Sequence, residues 1–441
     1  MLFQHHLPPP KSTFTSDAPA TLHTAQGDTT GADPAQLKDT WVLTGDKEDP
    51  SYIIGAKPGP YVEEHSRSIY CQLGSRIAFV GIDARTERTR HQVNYPETYN
   101  AIFDRLESEI KASPTIKHLI LLLGVPIAYP RLQWLENIFQ SPIMGPIKFL
   151  NKRFGLAGGI FNQFDGNVDL LDDLDDHYTA RHHKRERREL IQRLQKFSKT
   201  HSVRVSILGG DVHLAAIGRF YSNPKLNIAA EQDWRYMPNI ISSAITNKPP
   251  PQAVANLLAK RNKIHHLDHD TDETLLEMFN HDPGMHPTVI EERKTNGEKG
   301  PGKKSADSNH ATMPSRNYAI IAESHDVGGA VNGAAAQTNG NGGLAPPAQD
   351  TDAISVHSDQ PAFQGRKANP RLPIHAGEQH SGTEHPAASG LKRTGLCGQY
   401  GLDVTLRVEI SNKDREGKTD GYGFSIPALD SKAYEGQGNK W

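Results

Sequence analysis

Asp211 and His213 stand one residue apart in the string GGDVH, which directly follows an apolar run at residues 203–208. Glycine lets the backbone turn sharply and come close to an ion or a phosphate. A carboxylate oxygen and an imidazole nitrogen are both common ligands of metal ions in proteins. The types and spacing of these residues therefore indicate a metal site, with Asp211 and His213 as candidate ligands.

The same string also has a purely structural interpretation. Short Asp-x-His strings are common, so Asp211 can cap a turn while His213 fills a gap beside the strand. The metal interpretation is favoured by position, because open α/β sheets bind ligands at the carboxyl ends of their strands. From the residues alone, both interpretations stay open.

Arg85 is a second residue with chemistry to offer, since it follows the apolar run 76–82 in the string DAR. Its planar guanidinium can hold a phosphate oxygen pair in a bidentate manner, which a lysine does less well. The alternative is a structural ion pair on the surface.

The elements that must position these residues alternate between strand and helix. Apolar runs predict strands, and apolar residues at helical spacing predict helices. This alternation implies a layered α/β domain with a substantially parallel sheet. The strands are predicted at residues 68–73, 76–82, 117–123, 203–208, 214–221 and 239–246, and the helices at 96–110, 178–200 and 253–260.

The rest of the chain is diluted by polar sequence, since hydrophobic residues make up 36% and there are 38 glycines and 30 prolines. Two stretches cannot bury enough apolar area to offset the entropy of ordering. Alternating residues at 317–323, 402–410 and 422–426 predict strands that return to the main sheet. The predicted division is an irregular segment 1–40, a core 41–290, a disordered linker 291–314, a returning strand 315–327, a disordered insertion 328–398, closing strands 399–428 and a tail 429–441.

Charge and cysteine content exclude some classes of protein. With 49 basic and 51 acidic residues, no overall field attracts nucleic acid, and the basic run 181–188 reads as a solvated helix surface. Two distant cysteines make a disulfide framework implausible, which favours a reducing compartment and a cytoplasmic location. No run approaches the length of about 18 apolar residues that an integral membrane segment needs.

Resemblance to a known family adds to this interpretation. The GDVH string at 210–213 resembles the Gly-Asp-x-His signature of PhoD-like phosphatases, a branch of the calcineurin-like metallophosphoesterases. FVGIDAR at 79–85, LLLGVP at 121–126 and DDLDDHY at 172–178 are similar to further strings of that family. The order and spacing agree over residues 41–290, and 422–427 resembles the closing strand.

The resemblance implies a layered metallophosphoesterase-like sandwich, incomplete in this chain, that hydrolyses a phosphorylated small molecule or another phosphoester. Asp211 and His213 would be catalytic and metal-binding, and Arg85 would bind the substrate. Asp83, Asp176 and His177 would contact and orient these residues without binding the metal or the substrate themselves. The acidic residues at 172–176 also suit the start of a helix. The implied cofactors are divalent or mixed metal ions, namely calcium, iron, manganese or zinc.

One part of the family pattern has no counterpart. Members carry further metal ligands upstream, in a Gly-Asp motif and an acidic loop with histidine, and the string GDKED at 45–49 is a poor substitute. The histidines and aspartates at 265–270 favour a solvated loop. Two ligands cannot close a two-metal site. The sequence therefore predicts either a metal-dependent phosphatase, truncated and inactive as an isolated chain, or a non-catalytic fragment or interaction protein that retains the sheet.

Overall fold

The structure is a computed structural model that describes residues 49–130, 178–243, 245–250, 252–260, 262–285, 309–324, 377–390, 393–397 and 400–430. The chain divides into two units, residues 1–52 and 53–441, and the candidate site residues 83, 85, 211 and 213 lie in the second. The predictions for segment 1–40, for Asp176 and for His177 lie outside the described residues. So do residues 291–308 and 328–376 of the two predicted disordered stretches.

A large sheet forms the centre of the fold. Among the described residues its strand order is β1-β2-β3-β4-β5-β7-β6-β9-β8, with β10 beside β6. Its strands are β1 (Tyr52–Pro58), β2 (His65–Leu73), β3 (Ile77–Gly81), β4 (His118–Gly124), β5 (Arg204–Gly209), β6 (Ala215–Ser222), β7 (Met237–Ile241), β8 (His265–His266), β9 (Thr271–Leu275) and β10 (Thr312–Met313).

The middle of this sheet is parallel. β3 pairs with β4, β4 with β5, and β5 with β7, all in the parallel sense. The flanking pairs β2 with β3, β6 with β7 and β6 with β9 are antiparallel. The predicted α/β class is therefore confirmed, and four neighbouring strands end at the same edge of the sheet.

Two helices cover one face of the sheet, and the spacing of their apolar residues explains why. These two helices are α1 (Pro96–Ala112) and α2 (Lys184–His201), and a further α-helix, α3 (Gln252–Lys260), follows β7 in the chain. Pro96 occupies the first turn of α1, where a missing amide donor costs nothing. The buried positions recur every three or four residues, so each helix presents one apolar stripe to β4 and β5. These positions are Ile102, Phe103, Leu106 and Ile110 in α1, and Leu190, Ile191, Leu194 and Phe197 in α2.

A separate sheet covers the other face. It consists of β11 (Asn317–Glu323), β12 (Leu402–Glu409) and β13 (Thr419–Ile426), paired antiparallel. The prediction that these strands return to the main sheet is wrong. Their alternating apolar residues pack face to face against Ile217 and Ile240 instead of adding to an edge.

Ordered residues also lie inside stretches for which the sequence predicts disorder. Asn309 to Met313 include β10, and residues 377–390 include a short helix, Pro386–Ser389. Glu378 is fully buried, pairs with Arg219 and accepts a hydrogen bond from the Tyr236 hydroxyl at 2.9 Å. A polar segment can thus be held by specific buried partners, which average composition does not reveal.

The residues that follow β4 are held by two buried side chains, Asn239 and Arg187. The side-chain oxygen of Asn239 accepts from the amides of Ile127 and Ala128, each at 3.0 Å. Arg187 donates to the carbonyl of Ile127 at 2.7 Å and forms a buried ion pair with Glu273. The basic run 181–188 is therefore not purely a solvated surface, because Arg187 faces the core.

Replacing Arg187 with methionine should lower the free energy of unfolding by about 3–5 kcal/mol, because the buried Glu273 carboxylate loses this guanidinium. The matched control is Arg185→Met on the same helix, where the side chain is 91% exposed. We expect the control to cost less than about 0.5 kcal/mol. Urea unfolding followed by circular dichroism measures both, and equal losses would contradict the assignment.

Candidate functional site

The carboxyl ends of the four parallel strands gather the residues that the sequence singled out. β3 leads to Asp83 and Arg85, and β5 leads to Asp211 and His213. β7, on the other side of β5, leads to Asn247. This edge has the position at which open α/β sheets bind ligands.

The loop after β5 is seated between its two neighbours. The Gly210 amide donates to the Gly124 carbonyl at 2.9 Å, and the Ser242 amide donates to the Gly209 carbonyl at 3.0 Å. A Cβ atom on Gly209 would lie 3.1 Å from the carbonyl oxygen of Val125, closer than an ordinary contact. Glycine therefore lets the loop pass between β4 and β7 without displacing the backbone after β4.

Both candidate ligands have unusual backbone conformations. Asp211 has φ of 72° and His213 has φ of 53°, in the left-handed region that side chains with a Cβ rarely adopt. Such strain is concentrated at functional sites, where the surrounding structure holds it in place. Two left-handed residues separated by one position present both side chains on the same short loop.

Asp211 faces Arg85 across the edge. The shortest distance between the Arg85 Nη2 atom and an Asp211 carboxylate oxygen is 3.9 Å, and the side chains are 52% and 30% exposed. This distance exceeds a direct hydrogen bond. The structure thus brings together two residues that lie 126 positions apart (211 minus 85) in the chain, and both can reach solvent.

Asp83 shapes the loop that carries Arg85. Its carboxylate accepts from the Thr86 hydroxyl at 2.6 Å and from the amides of Arg67, Arg85 and Thr86 at 3.0 Å. Burial raises the pKa of the Asp83 carboxyl, but these hydrogen bonds outweigh it, so the pKa lies below its ordinary value. Asp83 thus holds the backbone of its own loop, and its predicted role behind the site stays a prediction.

A buried carboxylate supports the same loop from the helix side. Glu186 of α2 accepts from the amides of Val93 and Asn94 at 2.8 and 2.9 Å and from the Tyr99 hydroxyl at 2.8 Å. Burial raises the pKa of the Glu186 carboxyl. Its contacts with His183 and the two amides have the larger effect, so the pKa lies below its ordinary value. The side-chain amide of Asn94 in turn donates to the carbonyl of Asp83 at 2.7 Å.

His213 contacts a residue that the sequence did not single out. Its Nε2 atom lies 3.2 Å from the side-chain nitrogen of Asn247, in the segment after β7. The apolar run 239–246 stops just before this asparagine, so the end of a parallel strand was the available sequence signal. The edge therefore contains an asparagine amide in addition to the predicted carboxylate, imidazole and guanidinium.

Metal-ligand geometry is absent from the part of the chain that the structure describes. No group of three or more His, Cys, Asp and Glu side chains there is arranged to hold a metal ion. The histidines at 265–270 belong to the β8–β9 hairpin, where His266 pairs with Asp272 at 2.5 Å and His269 with Asp270 at 2.6 Å. In the described ranges, no helix is both long enough and apolar enough to cross a membrane.

Comparison with known proteins matches residues 66–150 and 143–300, together more than half of the 441 residues, to the family described as PhoD related phosphatase. The uncharacterized protein YGR266W of Saccharomyces cerevisiae is 45% identical over 247 residues, which cover 52% of this chain. The chain spans 35% of that relative's length. A solved structure, titled Structure of PhoD, is 13% identical and covers 43% of this chain and 30% of its own, with a TM-score of 0.26.

The hydrogen bonds of Asp83 give a prediction with a defined pH dependence. Asp83→Asn keeps one acceptor but places an amide against the Arg67 backbone donor, so we expect a loss of about 1–3 kcal/mol in unfolding free energy at pH 7. Because the pKa of the Asp83 carboxyl is lower in the folded state, its charge stabilises the fold fully at pH values above the ordinary pKa of 3.8. This stabilisation is lost as the pH falls below that value. The difference from wild type should therefore shrink in acid.

Guanidinium unfolding of wild type and variant at pH 7, 5 and 3 measures this difference. Asp104→Asn is the control, because this exposed aspartate lies on the outer side of α1. It should change stability by less than about 0.5 kcal/mol at every pH. A loss for Asp83→Asn that stays constant from pH 7 to 3 would show that its charge is unimportant.

Proposed function

Because the chain belongs to the PhoD related phosphatase family, we propose that this domain hydrolyses a phosphate ester at the carboxyl edge of its parallel strands. Arg85 binds the phosphoryl group, and Asp211 and His213 are the catalytic and metal-binding residues. The observation that carries the proposal is the meeting of Arg85 and Asp211 at the carboxyl edge of the parallel strands. A phosphorylated small molecule and a larger phosphoester both present the same anionic group to this edge.

Arg85 is suited to the phosphoryl oxygens. Its guanidinium lies 3.9 Å from the Asp211 carboxylate and is half exposed. A phosphate from solvent can therefore contact the guanidinium directly. A guanidinium offers two parallel donors to a phosphate, and charge-assisted bonds of this kind are about twice as strong as neutral ones. Asp83 holds the backbone of Arg85 in place and thereby limits the entropy lost on binding.

His213 contributes an imidazole from the loop that also carries Asp211. With the amide of Asn247 donating to Nε2 at 3.2 Å, a neutral imidazole carries its proton on Nδ1. That proton can be donated to an oxygen of the ester. Asn247 thus selects the form of the ring that gives a hydrogen bond to an anion.

The family resemblance also implies metal ions, and the described residues fit them only in part. A carboxylate and an imidazole are suitable donors, yet Asp211 faces Arg85 and His213 faces Asn247. No third ligand joins them in the described part of the chain. A closed metal site would need further ligands, and calcium, iron, manganese and zinc are the candidate ions.

The second candidate function is a non-catalytic interaction protein that retains the phosphatase sheet. The engagement of both candidate ligands by Arg85 and Asn247 favours it, since a carboxylate beside a guanidinium is a weaker cation ligand. Such a protein would bind a phosphate group without hydrolysing it. A cytoplasmic location is proposed for either function from the cysteine content.

The first test compares turnover in the purified chain after chelation and after addition of manganese, zinc, calcium or iron. With p-nitrophenyl phosphate and its bis ester, we expect Asp211→Asn and His213→Gln to lower kcat/KM by at least about 100-fold. His269→Gln is the control, because its ring is 97% exposed on the β8–β9 hairpin. It should keep the wild-type rate.

Three results would decide between the functions. Metal-stimulated turnover that both variants abolish supports the phosphatase. Phosphate binding without turnover under any metal supports the interaction protein. Turnover that survives in both variants places hydrolysis elsewhere and overturns the proposal.

A second test concerns the phosphate contact itself. Arg85→Lys keeps the charge but loses the fork of donors, so the dissociation constant of inorganic phosphate should rise by about tenfold, and Arg85→Ala should raise it further. Isothermal titration calorimetry measures this constant. The control is Arg90→Lys on the same exposed loop, and equal affinities for wild type and Arg85→Ala would contradict the contact.

A further inference from the structure

Asn317 is the first residue of β11, in the second sheet, yet its side chain reaches the main sheet. The residue is only 3% exposed. Its side-chain oxygen accepts from the Ser242 hydroxyl at 2.9 Å and from the Ser243 amide at 3.1 Å. Its side-chain nitrogen donates to the carbonyls of Ser243 and Ser315, each at 2.8 Å. Every hydrogen-bonding atom of this carboxamide is therefore used.

The segment that Asn317 holds forms a wall of the candidate site. The Ser242 amide donates to the carbonyl of Gly209 at 3.0 Å. A Cβ atom on Gly210 would lie 3.4 Å from the Cβ atom of Ser243 and 3.7 Å from the carbonyl oxygen of Ser242, so the two segments are neighbours. Asn317 thus acts one contact away from the GGDVH loop.

The same segment also leads to the residue that faces His213. Ser243 precedes Asn247 by four positions, and Asn247 contacts the imidazole at 3.2 Å. A displacement of the 242–243 backbone would therefore reach His213 along two routes, through Gly209 and Gly210 on one side and through Asn247 on the other. No other side chain among the described contacts bonds to both Ser242 and Ser243.

The opposite end of β11 provides a natural comparison. Glu323, the last residue of this strand, forms a two-point ion pair with Arg76 at 2.8 and 2.6 Å. Arg76 precedes β3, at the amino end of the parallel strands. β11 is thus bonded to the main sheet at both ends, but only the Asn317 end bonds to the segment 242–243 beside the site.

We propose that Asn317 is a positioning residue for the phosphate-binding edge: it fixes the 242–243 backbone, and through it the conformation of the loop that carries Asp211 and His213. Its importance for hydrolysis rests on the proposed function. Its effect on the loop does not, because that effect follows from the hydrogen bonds alone.

The test replaces Asn317 with aspartate, which has the same shape. The change keeps the acceptor that faces Ser242 and Ser243 but turns a carboxylate oxygen toward the carbonyls of Ser243 and Ser315. Hydrogen exchange followed by mass spectrometry should show exchange about tenfold faster in peptides 206–214 and 237–247. The titration of inorganic phosphate should show a dissociation constant raised by about tenfold.

Glu323→Gln is the matched control, since it weakens the other attachment of the same strand. It should speed exchange near residues 76 and 323 and leave peptides 206–214 and 237–247 within about twofold of wild type. Ser242→Ala removes a single bond at the Asn317 end and gives a milder version of the same change. This variant keeps the test valid if Asn317→Asp does not fold.

The outcomes separate this proposal from the proposed function. Faster loop exchange in the Asn317 and Ser242 variants, but not in Glu323→Gln, supports the positioning role even where wild type binds no phosphate. Equal exchange in all variants and wild type would overturn it. Equal acceleration in Glu323→Gln would also overturn it, because Asn317 would then act only through general stability.

Discussion

The candidate site depends on how closely three backbones approach one another at the end of the parallel strands. Gly210 bonds to the carbonyl of Gly124, and Gly209 receives the amide of Ser242, so the loop after β5 is joined to β4 and to the residues after β7. Glycine fits between them without displacing either, whereas a Cβ atom on Gly209 would lie 3.1 Å from the carbonyl oxygen of Val125. These backbone contacts determine where the loop begins, and hence where Asp211 and His213 can lie.

The rest of the fold maintains that approach. Helix α2 contributes Arg187, which together with Asn239 holds the residues that follow β4. The second sheet contributes Asn317, which holds the residues that follow β7. Both neighbours of the loop are therefore fixed by buried polar side chains from distant parts of the chain. Such groups are costly to bury unless they are satisfied, so they specify one arrangement in preference to others.

The sequence was sufficient for the local part of this arrangement. Apolar runs followed by GGDVH and by DAR predicted two strand ends, and a parallel sheet brings such ends to one edge. Asn247, Asn317 and Glu378 were not predicted, because each acts through a partner far away in the sequence. Asn317 lies 75 residues beyond Ser242, and Glu378 lies 159 beyond Arg219. The separate second sheet escaped prediction for the same reason, since alternation shows that a strand is half buried but not which sheet it joins.

Two aspartates at this edge show why the arrangement points to binding and not only to stability. Asp83 accepts four hydrogen bonds from its own loop and from Arg67, so its charge is used within the fold. Asp211 instead stands on a left-handed backbone, partly exposed, with a guanidinium 3.9 Å away. Glycine adopts such a backbone conformation at lower cost, as Gly124 does at the end of β4. Left-handed residues of this kind cluster at functional sites, so the conformations of Asp211 and His213 support the role that we propose for them.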